Sequence, residues 1–227
     1  MFLKRIYRPE IMDDFSIQDE RIDLALKELK LINKFLGGIS TTKLGLNILL
    51  KKNPNLQNIK ILDVGSGASD VLISLVDNNQ KIISLDLNKR VCNYVKDSLN
   101  IKDIVCSDVK SLPFRYKGFD FIHASLFLHH FNEEEITEIL SNLLNLTRCG
   151  IIVNDLRRSI FALAGIKILI SLFSNSIMVK NDAPLSVRKG FTKSELKIIL
   201  NSLKCQYIIK RKWAFRWSIV LIPDNLN

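Results

Sequence analysis

Short hydrophobic runs alternate with amphipathic stretches through the middle of the chain. The runs lie within residues 59–64, 81–88, 104–108, 118–131 and 147–155, and each is bounded by polar residues. Runs of this length are typical of buried parallel strands, and the amphipathic stretches between them are typical of crossover helices. The pattern therefore predicts an α/β fold built around a mostly parallel sheet.

The N-terminal part has a helical rather than a strand pattern. Apolar residues recur at helical spacing over Asp19–Leu36, and a double glycine follows, which is a common helix stop. Thr41 or Thr42 is expected to cap a second helix that runs to about Lys52. We therefore expect two helices before the first strand.

The C-terminal part returns to strands. The runs Cys205–Lys210 and Trp213–Ile222 predict an antiparallel pair at the edge of the sheet. Together these patterns divide the chain into an N-terminal helical extension, residues 1–55, and an α/β domain, residues 56–227.

Two capping boxes mark helix starts within that domain. Asn132 is followed three residues later by Glu135, and Thr192 is followed in the same way by Glu195. Such pairs satisfy free N–H groups at a helix N-terminus, so both positions predict the first turn of a helix.

An insertion of about residues 156–190 separates the fifth run from the last predicted helix. Its core, residues 160–173, is apolar nearly all round and contains Lys167, so it is too short and too charged to span a bilayer. A helix that is apolar on all sides must be covered by protein, lipid or substrate. We expect either a lid over an apolar acceptor pocket or an interfacial helix with Arg157 and Arg158 at its entry. An ordinary buried helix or a dimer contact is the alternative.

Composition places the chain among globular proteins and bears on its partners. Of 227 residues, 47% are hydrophobic and 25% are charged, which excludes a disordered chain. The four cysteines form no Cys-x-x-Cys pair, which predicts reduced thiols in a cytoplasmic protein. With three histidines and no His/Cys cluster, we expect no metal site.

The formal net charge of +10 favours an anionic partner. Nucleic acid, an anionic membrane surface and an acidic substrate are all compatible with it, and so are simple solvated surfaces. Much of the excess lies near the chain ends, at Lys4, Arg5, Arg8, Lys204, Lys210, Arg211, Lys212 and Arg216.

The turn after the first run carries the most specific signal. Asp63 is followed by Gly65, Ser66 and Gly67, and glycine fits where the backbone takes positive φ or passes close to a ligand. A dinucleotide site would have a third glycine where this chain has Asp70. The pattern instead resembles the first motif of class I S-adenosylmethionine-dependent methyltransferases, Asp/Glu-x-Gly-x-Gly-x-Gly, with Ser in place of the third glycine.

The later runs resemble the same family and imply a cofactor site. The acid that ends the second run would hold both ribose hydroxyls, and the acid and apolar residue that end the third would flank adenine. The fourth run resembles the strand and loop beside the sulfonium, with Phe-Asp and a later Leu-His-His. The resemblance implies a Rossmann-like, seven-stranded sheet with an antiparallel last strand, and S-adenosyl-L-methionine as cofactor. The implied cofactor-binding residues are Asp63, Gly65, Ser66, Gly67, Asp86, Leu87, Asp108, Val109 and Ser125.

Three further segments resemble a narrower group. Residues 8–14, 181–192 and 213–217 are similar to bacterial small-molecule methyltransferases encoded beside type III polyketide synthases. That likeness implies a small, hydrophobic acceptor of phenolic, polyketide-like or quinol type, methylated on oxygen.

A general base would help to deprotonate such an acceptor, and histidine is the natural choice near neutral pH. His129 and His130 follow the fourth run, on the side where the methyl group would point. Either is a candidate base, and spacing does not choose between them; a structural role is the alternative for each. His123 is expected to belong to the strand.

Two other classes stay open. A nucleic-acid methyltransferase would account for the basic charge, but Ser125–Leu128 stands where amino-directed DNA enzymes have Asn/Asp-Pro-Pro-Tyr/Phe, so nucleic acid is disfavoured and an RNA enzyme is the remaining variant. A non-catalytic S-adenosylmethionine-binding protein is the other class. A peripheral membrane contact and a homodimer are both compatible with the sequence.

Overall fold

The hydrophobic runs form a single sheet in the computed structural model, which describes residues 4–77, 79–99 and 103–224. Its seven strands lie in the order β3-β2-β1-β4-β5-β7-β6. All neighbouring pairs are parallel except those that β7 makes with β5 and β6. The strands are β1 (Ile59–Val64), β2 (Gln80–Asp86), β3 (Ile104–Cys106), β4 (Phe119–Ser125), β5 (Thr147–Leu156), β6 (Cys205–Lys212) and β7 (Arg216–Pro223). The predicted Rossmann-like sheet with an antiparallel last strand is confirmed.

Eight α-helices lie within the described residues. They are α1 (Glu20–Phe35), α2 (Gly38–Lys52), α3 (Asp70–Ile73), α4 (Lys89–Leu99), α5 (Glu133–Leu146), α6 (Ile160–Phe173), α7 (Ile177–Lys189) and α8 (Lys193–Asn201). Two short 3₁₀ turns, Ile11–Asp13 and Leu128–His130, are added to them. Both predicted capping boxes are present, at the starts of α5 and α8.

The start of α2 corrects the prediction that Thr41 or Thr42 caps it. The helix begins at Gly38, and Gly37 in the left-handed conformation (φ +75°) is its N-cap. A Cβ at Gly37 would lie 1.8 Å from the carbonyl oxygen of Trp213. Contact with the C-terminal part of the chain therefore determines where α2 begins. The two threonines are buried inside the helix instead.

Helices cover both faces of the sheet. On one face, α5 and α8 pack their apolar residues, such as Leu143 and Leu200, against strand residues that include Leu62. On the other face, Leu46 and Leu49 of α2 pack against β1, β4, β5 and β7. Helix α2 therefore belongs to the same core as the sheet, while the division of the chain at about residue 55 stays a prediction.

The insertion folds as two helices, α6 and α7, that pack with α1 in a further apolar cluster. No helix in the described ranges combines the length and the apolar character that crossing a membrane requires. Two of the basic residues near the chain ends, Arg5 and Arg216, are buried with internal partners. Arg5 and Arg216 therefore do not contribute to the basic surface that the sequence predicted.

Candidate active site

All eleven residues that the sequence proposes for the site line one cavity of about 580 Å³. It opens at the carboxyl ends of β1, β2 and β4, where the strand order reverses, which is the usual ligand position in open α/β sheets. The eleven are Asp63, Gly65, Ser66, Gly67, Asp86, Leu87, Asp108, Val109, Ser125, His129 and His130.

The turn after β1 has the backbone that its glycines predict. Gly65 and Gly67 have φ values of +57° and +49°. A Cβ at Gly65 would lie 2.1 Å from Cδ2 of Phe127, so only glycine fits there. Ser69, which replaces the family's third glycine, keeps a left-handed φ of +49°, and its hydroxyl lies 2.8 Å from that of Ser84. The helix that follows is only the four residues of α3, shorter than the amphipathic run to Val76 predicts.

Asp86 links the ends of β1 and β2. Its Oδ2 accepts a 3.0 Å hydrogen bond from the Gly67 N–H, and its Oδ1 accepts one of 2.9 Å from the Asn88 N–H. Burial disfavours the charged form and raises the pKa of Asp86, although these N–H groups oppose the shift. The carboxylate is thus held at the strand tip with its orientation fixed by backbone donors.

The wall on the β3 side combines apolar and polar residues. Val109 is buried, whereas Asp108 is exposed and accepts a 2.9 Å bond from the Lys110 N–H. Leu87 is 42% exposed at the rim. An apolar side chain can flank a planar ring, and a carboxylate beside it can accept a hydrogen bond from an exocyclic amino group.

A buried polar chain fixes Asp63 at the cavity wall. His123 lies in β4, as expected, with Nδ1 2.7 Å from Asp63 Oδ1 and Nε2 3.0 Å from the Thr42 hydroxyl. The Thr42 hydroxyl accepts a hydrogen bond from the side-chain amide of Asn154. The Oδ1 of that amide in turn accepts a hydrogen bond from Arg216. Burial lowers the pKa of Arg216 to about 10. The sequence did not predict this hydrogen-bonded chain, because its members come from five different elements, β1, β4, α2, β5 and β7.

His129 and Asp155 form a buried dyad beside the cofactor turn. His129 Nδ1 lies 2.7 Å from Oδ1 of Asp155, which is the second-to-last residue of β5 and is 0% exposed. Although burial favours the neutral acid, the neighbouring His129 holds the pKa of Asp155 below its ordinary value. An ionised carboxylate only accepts hydrogen bonds, so Nδ1 of His129 carries a proton, and in the neutral form of the imidazole the lone pair is on Nε2. That arrangement suits a general base.

Some buried polar atoms of cavity-lining residues lack a hydrogen-bond partner in the described part of the chain. They include Ser125 Oγ, Asn88 Nδ2 and His129 Nε2. Since buried polar groups are nearly always satisfied, these atoms indicate where a ligand binds.

The N-terminal segment covers the side of the cavity that contains the histidines. Asp182 of α7 accepts hydrogen bonds from the Ile11 and Met12 N–H groups, and Lys189 lies 3.1 Å from Glu10 Oε1. Arg5 donates to the carbonyl of Lys189 at 2.8 Å. Residues 8–14 and 181–192, which resemble the narrower methyltransferase group, therefore meet over the histidines.

His130 faces this cover from the cavity. Its Nδ1 lies 2.8 Å from Asp13 Oδ1. Burial alone would lower the pKa of His130, but the carboxylates of Asp13 and Glu10 outweigh it and raise that pKa. The carboxylates of the N-terminal segment thus favour the charged form of His130, whereas His129 is the partner of Asp155.

Glu10, His129 and His130 offer three ligand atoms within 4.8 Å of one another, a spacing compatible with a metal ion. The sequence predicts no such cluster, since Glu10 lies far from the two histidines along the chain. Lys189 Nζ lies 3.1 Å from Glu10 Oε1 and 3.3 Å from Asp13. This buried ammonium already supplies the positive charge, so a cation would have to displace it.

The helix that covers the cavity is α7 and not α6, which corrects the prediction that residues 160–173 form the lid. Val179, Asp182, Ala183, Ser186 and Lys189 of α7 line the cavity, but none of its described lining residues belongs to α6. The physical reason is the packing order, because α6 lies on α7 and α1 and turns its other side outward.

Sequence reasoning missed four of the residues that shape this site: Glu10, Asp13, Asp155 and Lys189. Asp155 had a local signal, as an acid at the end of an apolar run. Glu10, Asp13 and Lys189 had no local signal, and only the resemblance of their segments to the narrower methyltransferase group pointed to them.

Part of the chain matches a known protein family. Residues 61–150, which are 90 of the 227 residues, match the methyltransferase domain family. The biotin biosynthesis bifunctional protein BioHC of Cellvibrio japonicus is 31% identical over 72 residues, which are 31% of this chain and only 14% of that protein.

Solved structures share the fold over most of the chain. The plantazolicin methyltransferase BpumL, solved with a pentazolic desmethylPZN analog and SAH, has a TM-score of 0.70 at 17% identity and covers 93% of each chain. Human N-acetylserotonin methyltransferase, solved with SAM, has a TM-score of 0.67 at 16% identity over 98% of this chain and 63% of that one. Magnesium protoporphyrin IX methyltransferase from Synechocystis PCC 6803, also with SAM, has a TM-score of 0.55 at 13% identity over 83% and 81%. The fold is that of class I S-adenosylmethionine-dependent methyltransferases, and S-adenosylmethionine is supported as the cofactor.

Proposed function

We propose that the protein transfers a methyl group from S-adenosyl-L-methionine to an oxygen of a small hydrophobic acceptor. The observation that carries this proposal is that the glycine turn lines the same cavity as His129, whose Nδ1 pairs with the buried Asp155. A cofactor site and a base that share one cavity are what methylation of a weakly acidic hydroxyl needs.

The cofactor side follows from the residues at the strand ends. Asp86 would accept hydrogen bonds from the ribose hydroxyls, and Asp108 with Val109 would hold the adenine. Asp63 and the glycine turn would hold the methionyl part, with Ser125 near the sulfonium. When bound, S-adenosylmethionine supplies a methyl group that is already activated for transfer.

The acceptor side supplies alignment and a base. His129 Nε2 would take the proton of the acceptor hydroxyl as the oxygen attacks the methyl carbon and the carbon–sulfur bond breaks. Asp155 stabilises the resulting imidazolium at Nδ1. Glu10 Oε1, 3.8 Å from Nε2, adds a second negative charge on the side where the proton arrives.

The walls of the cavity favour an apolar acceptor. Apolar side chains from the N-terminal segment, α1, α7 and the loop after β4 line it, namely Met12, Phe15, Leu26, Leu29, Phe127, Phe131, Val179 and Ala183. The histidines together with these apolar side chains suit a phenol, an enolic polyketide or a quinol.

A panel of acceptors tests the proposal. Purified protein is incubated with methyl-labelled S-adenosylmethionine and, separately, phenolic lipids, pyrones, quinols, tRNA and DNA. We expect label in at least one hydroxyl-bearing apolar compound. His129→Gln should lose that activity while calorimetry shows nearly unchanged cofactor affinity.

Two outcomes would overturn the proposal. Labelling of tRNA or DNA alone would assign the enzyme to nucleic acid. Tight cofactor binding without turnover on any acceptor would indicate a non-catalytic cofactor-binding protein.

A further inference from the structure

Helix α6 presents an apolar face to solvent. Phe161 is 79% exposed, Ile168 61% and Leu172 69%. Positions 161, 168 and 172 are seven and eleven residues apart, so they fall on one stripe of the helix. Ile160 and Phe173 flank this stripe and are exposed as well. A contiguous apolar face of this kind marks a binding surface rather than scattered exposure.

The charges around this face have one sign. Residues 156–181 contain four basic residues and no Asp or Glu. Lys167 and Lys180 are exposed, and Arg157 is half-buried. Arg158 does not contribute, because it is buried against Glu195. The face is therefore apolar with a basic border.

Two acids of the neighbouring helices point to partners inside the protein. Glu28 of α1 lies beside the C-terminal end of α6, and its oxygens accept hydrogen bonds from Ser174, Asn175 and Ser176. Asp182 of α7 is buried under the N-terminal segment. Both carboxylates thus have internal partners.

We infer that α6 binds the surface of an anionic phospholipid bilayer and lies in its plane. Fourteen residues extend about 21 Å at 1.5 Å per residue, less than the hydrocarbon thickness of about 30 Å, so the helix cannot cross. An apolar face with basic neighbours is the arrangement that inserts between headgroups while its lysines contact lipid phosphates.

A second copy of the chain fits this face less well. Lys167 lies at the midpoint of α6, so a twofold contact through the helix centre would bring two ammonium groups together. The segment offers no acid to pair with them. A bilayer rich in phosphate has no such conflict.

The exposed face of α6 lies close to the cavity. Helix α7 lies against α6 and lines the cavity with Val179 and Ala183. A bilayer bound at α6 would therefore lie next to a helix that lines the cavity. The inference itself concerns binding only and does not depend on the proposed reaction, so its test uses no acceptor.

Vesicle sedimentation tests the inference. Full-length protein is mixed with vesicles of phosphatidylcholine alone or with added phosphatidylglycerol. We expect binding to the anionic vesicles that weakens with salt, and about tenfold loss or more in Phe161→Ser/Leu172→Ser. Lys167→Glu should weaken binding about fivefold or more. Ile198→Ser is the matched control, since Ile198 on α8 is 71% exposed and lies outside this face.

Because the substituted residues are exposed, melting temperatures should stay close to wild type, which excludes misfolding as the cause. Unchanged vesicle binding in the double variant would overturn the inference. So would the absence of wild-type binding to anionic vesicles. Sedimentation velocity would then identify a dimer contact if Phe161→Ser/Leu172→Ser turned a dimer into a monomer.

Discussion

Replacing Asp155 by Asn tests the dyad with almost no change in shape. Oδ1 of Asp155 lies 2.7 Å from His129 Nδ1 and accepts a 2.7 Å bond from the Leu156 N–H, while Oδ2 accepts a 3.3 Å bond from the His129 N–H. An amide in either orientation turns its NH₂ group toward one of these donors. The variant therefore loses a buried hydrogen bond as well as the negative charge.

The expected loss follows from that geometry. A hydrogen bond to a charged group contributes about 1.5–3 kcal/mol, or about 10- to 150-fold in rate if it acts only on the imidazolium. If the amide also reverses the tautomer, Nε2 of His129 carries the proton and the base is lost, which extends the loss to about 10²–10⁴-fold. We expect kcat to fall within this range while the cofactor dissociation constant changes little.

Two measurements check the effect of Asp155→Asn. Turnover is followed by mass spectrometry with whichever acceptor the panel identifies, and cofactor affinity by calorimetry. Proton NMR should show a downfield imidazole N–H signal from the His129–Asp155 bond that the variant lacks, a readout that needs no acceptor. Asp120→Asn is the control, because Asp120 is buried at the opposite end of β4 and bonds to Lys60 and Arg148.

A wild-type kcat in Asp155→Asn, with the NMR signal lost, would refute the dyad as a catalytic unit. Equal losses in Asp155→Asn and Asp120→Asn would attribute the effect to general destabilisation.

Three further predictions follow from the cavity. Asp86→Ala should weaken cofactor binding by about ten- to a hundredfold in calorimetry, since two charge-assisted hydrogen bonds to the ribose would be lost. Gly65→Val should weaken it further, because its Cβ would meet the Phe127 ring and its φ is positive, a strained conformation for valine. The pKa of His130 is raised in the folded protein, so its stabilising contribution is complete below its ordinary value of 6.5 and is lost as pH rises through the folded value. The melting temperature of the wild type should therefore fall by a few degrees more than that of His130→Asn between weakly acidic and alkaline pH.

Each of the three predictions has a matched control variant or an outcome that would contradict it. Asp103→Ala removes an exposed acid that pairs with Lys81, and it should leave cofactor affinity unchanged. Unaltered binding in Asp86→Ala would remove Asp86 from the site. Gly165→Val offers the contrast for Gly65, because nothing lies within 4 Å of a Cβ built there. Parallel melting curves for wild type and His130→Asn across pH would contradict the charged role of His130.

Local chemistry made much of the site predictable. The eleven proposed residues lie in one cavity because they follow the carboxyl ends of parallel strands, which meet at one edge of the sheet. The capping boxes at Asn132 and Thr192 were predicted correctly because their hydrogen bonds span only three residues. The roles of the eleven residues stay predictions until binding and turnover are measured.

Other features depended on packing. Thr42 looked like a helix cap but is buried beside His123, because contact between Gly37 and the C-terminal chain moves the start of α2. The apolar pattern of α6 suggested that it covers the cavity, but α6 packs on α7, and α7 lines the cavity instead.

The sequence alone determined the order of strands and helices, the glycine turn and the acids at the strand ends, because each depends on periodicity or on contacts within a few residues. Tertiary structure alone decided which histidine has a carboxylate partner and which residues cover it. His129 and Asp155 are 26 residues apart, and Lys189 lies against Glu10 from the other end of the chain. Pairing of buried charges is set by how distant segments pack and by the cost of leaving a charge unpaired, and neither is written in the local pattern.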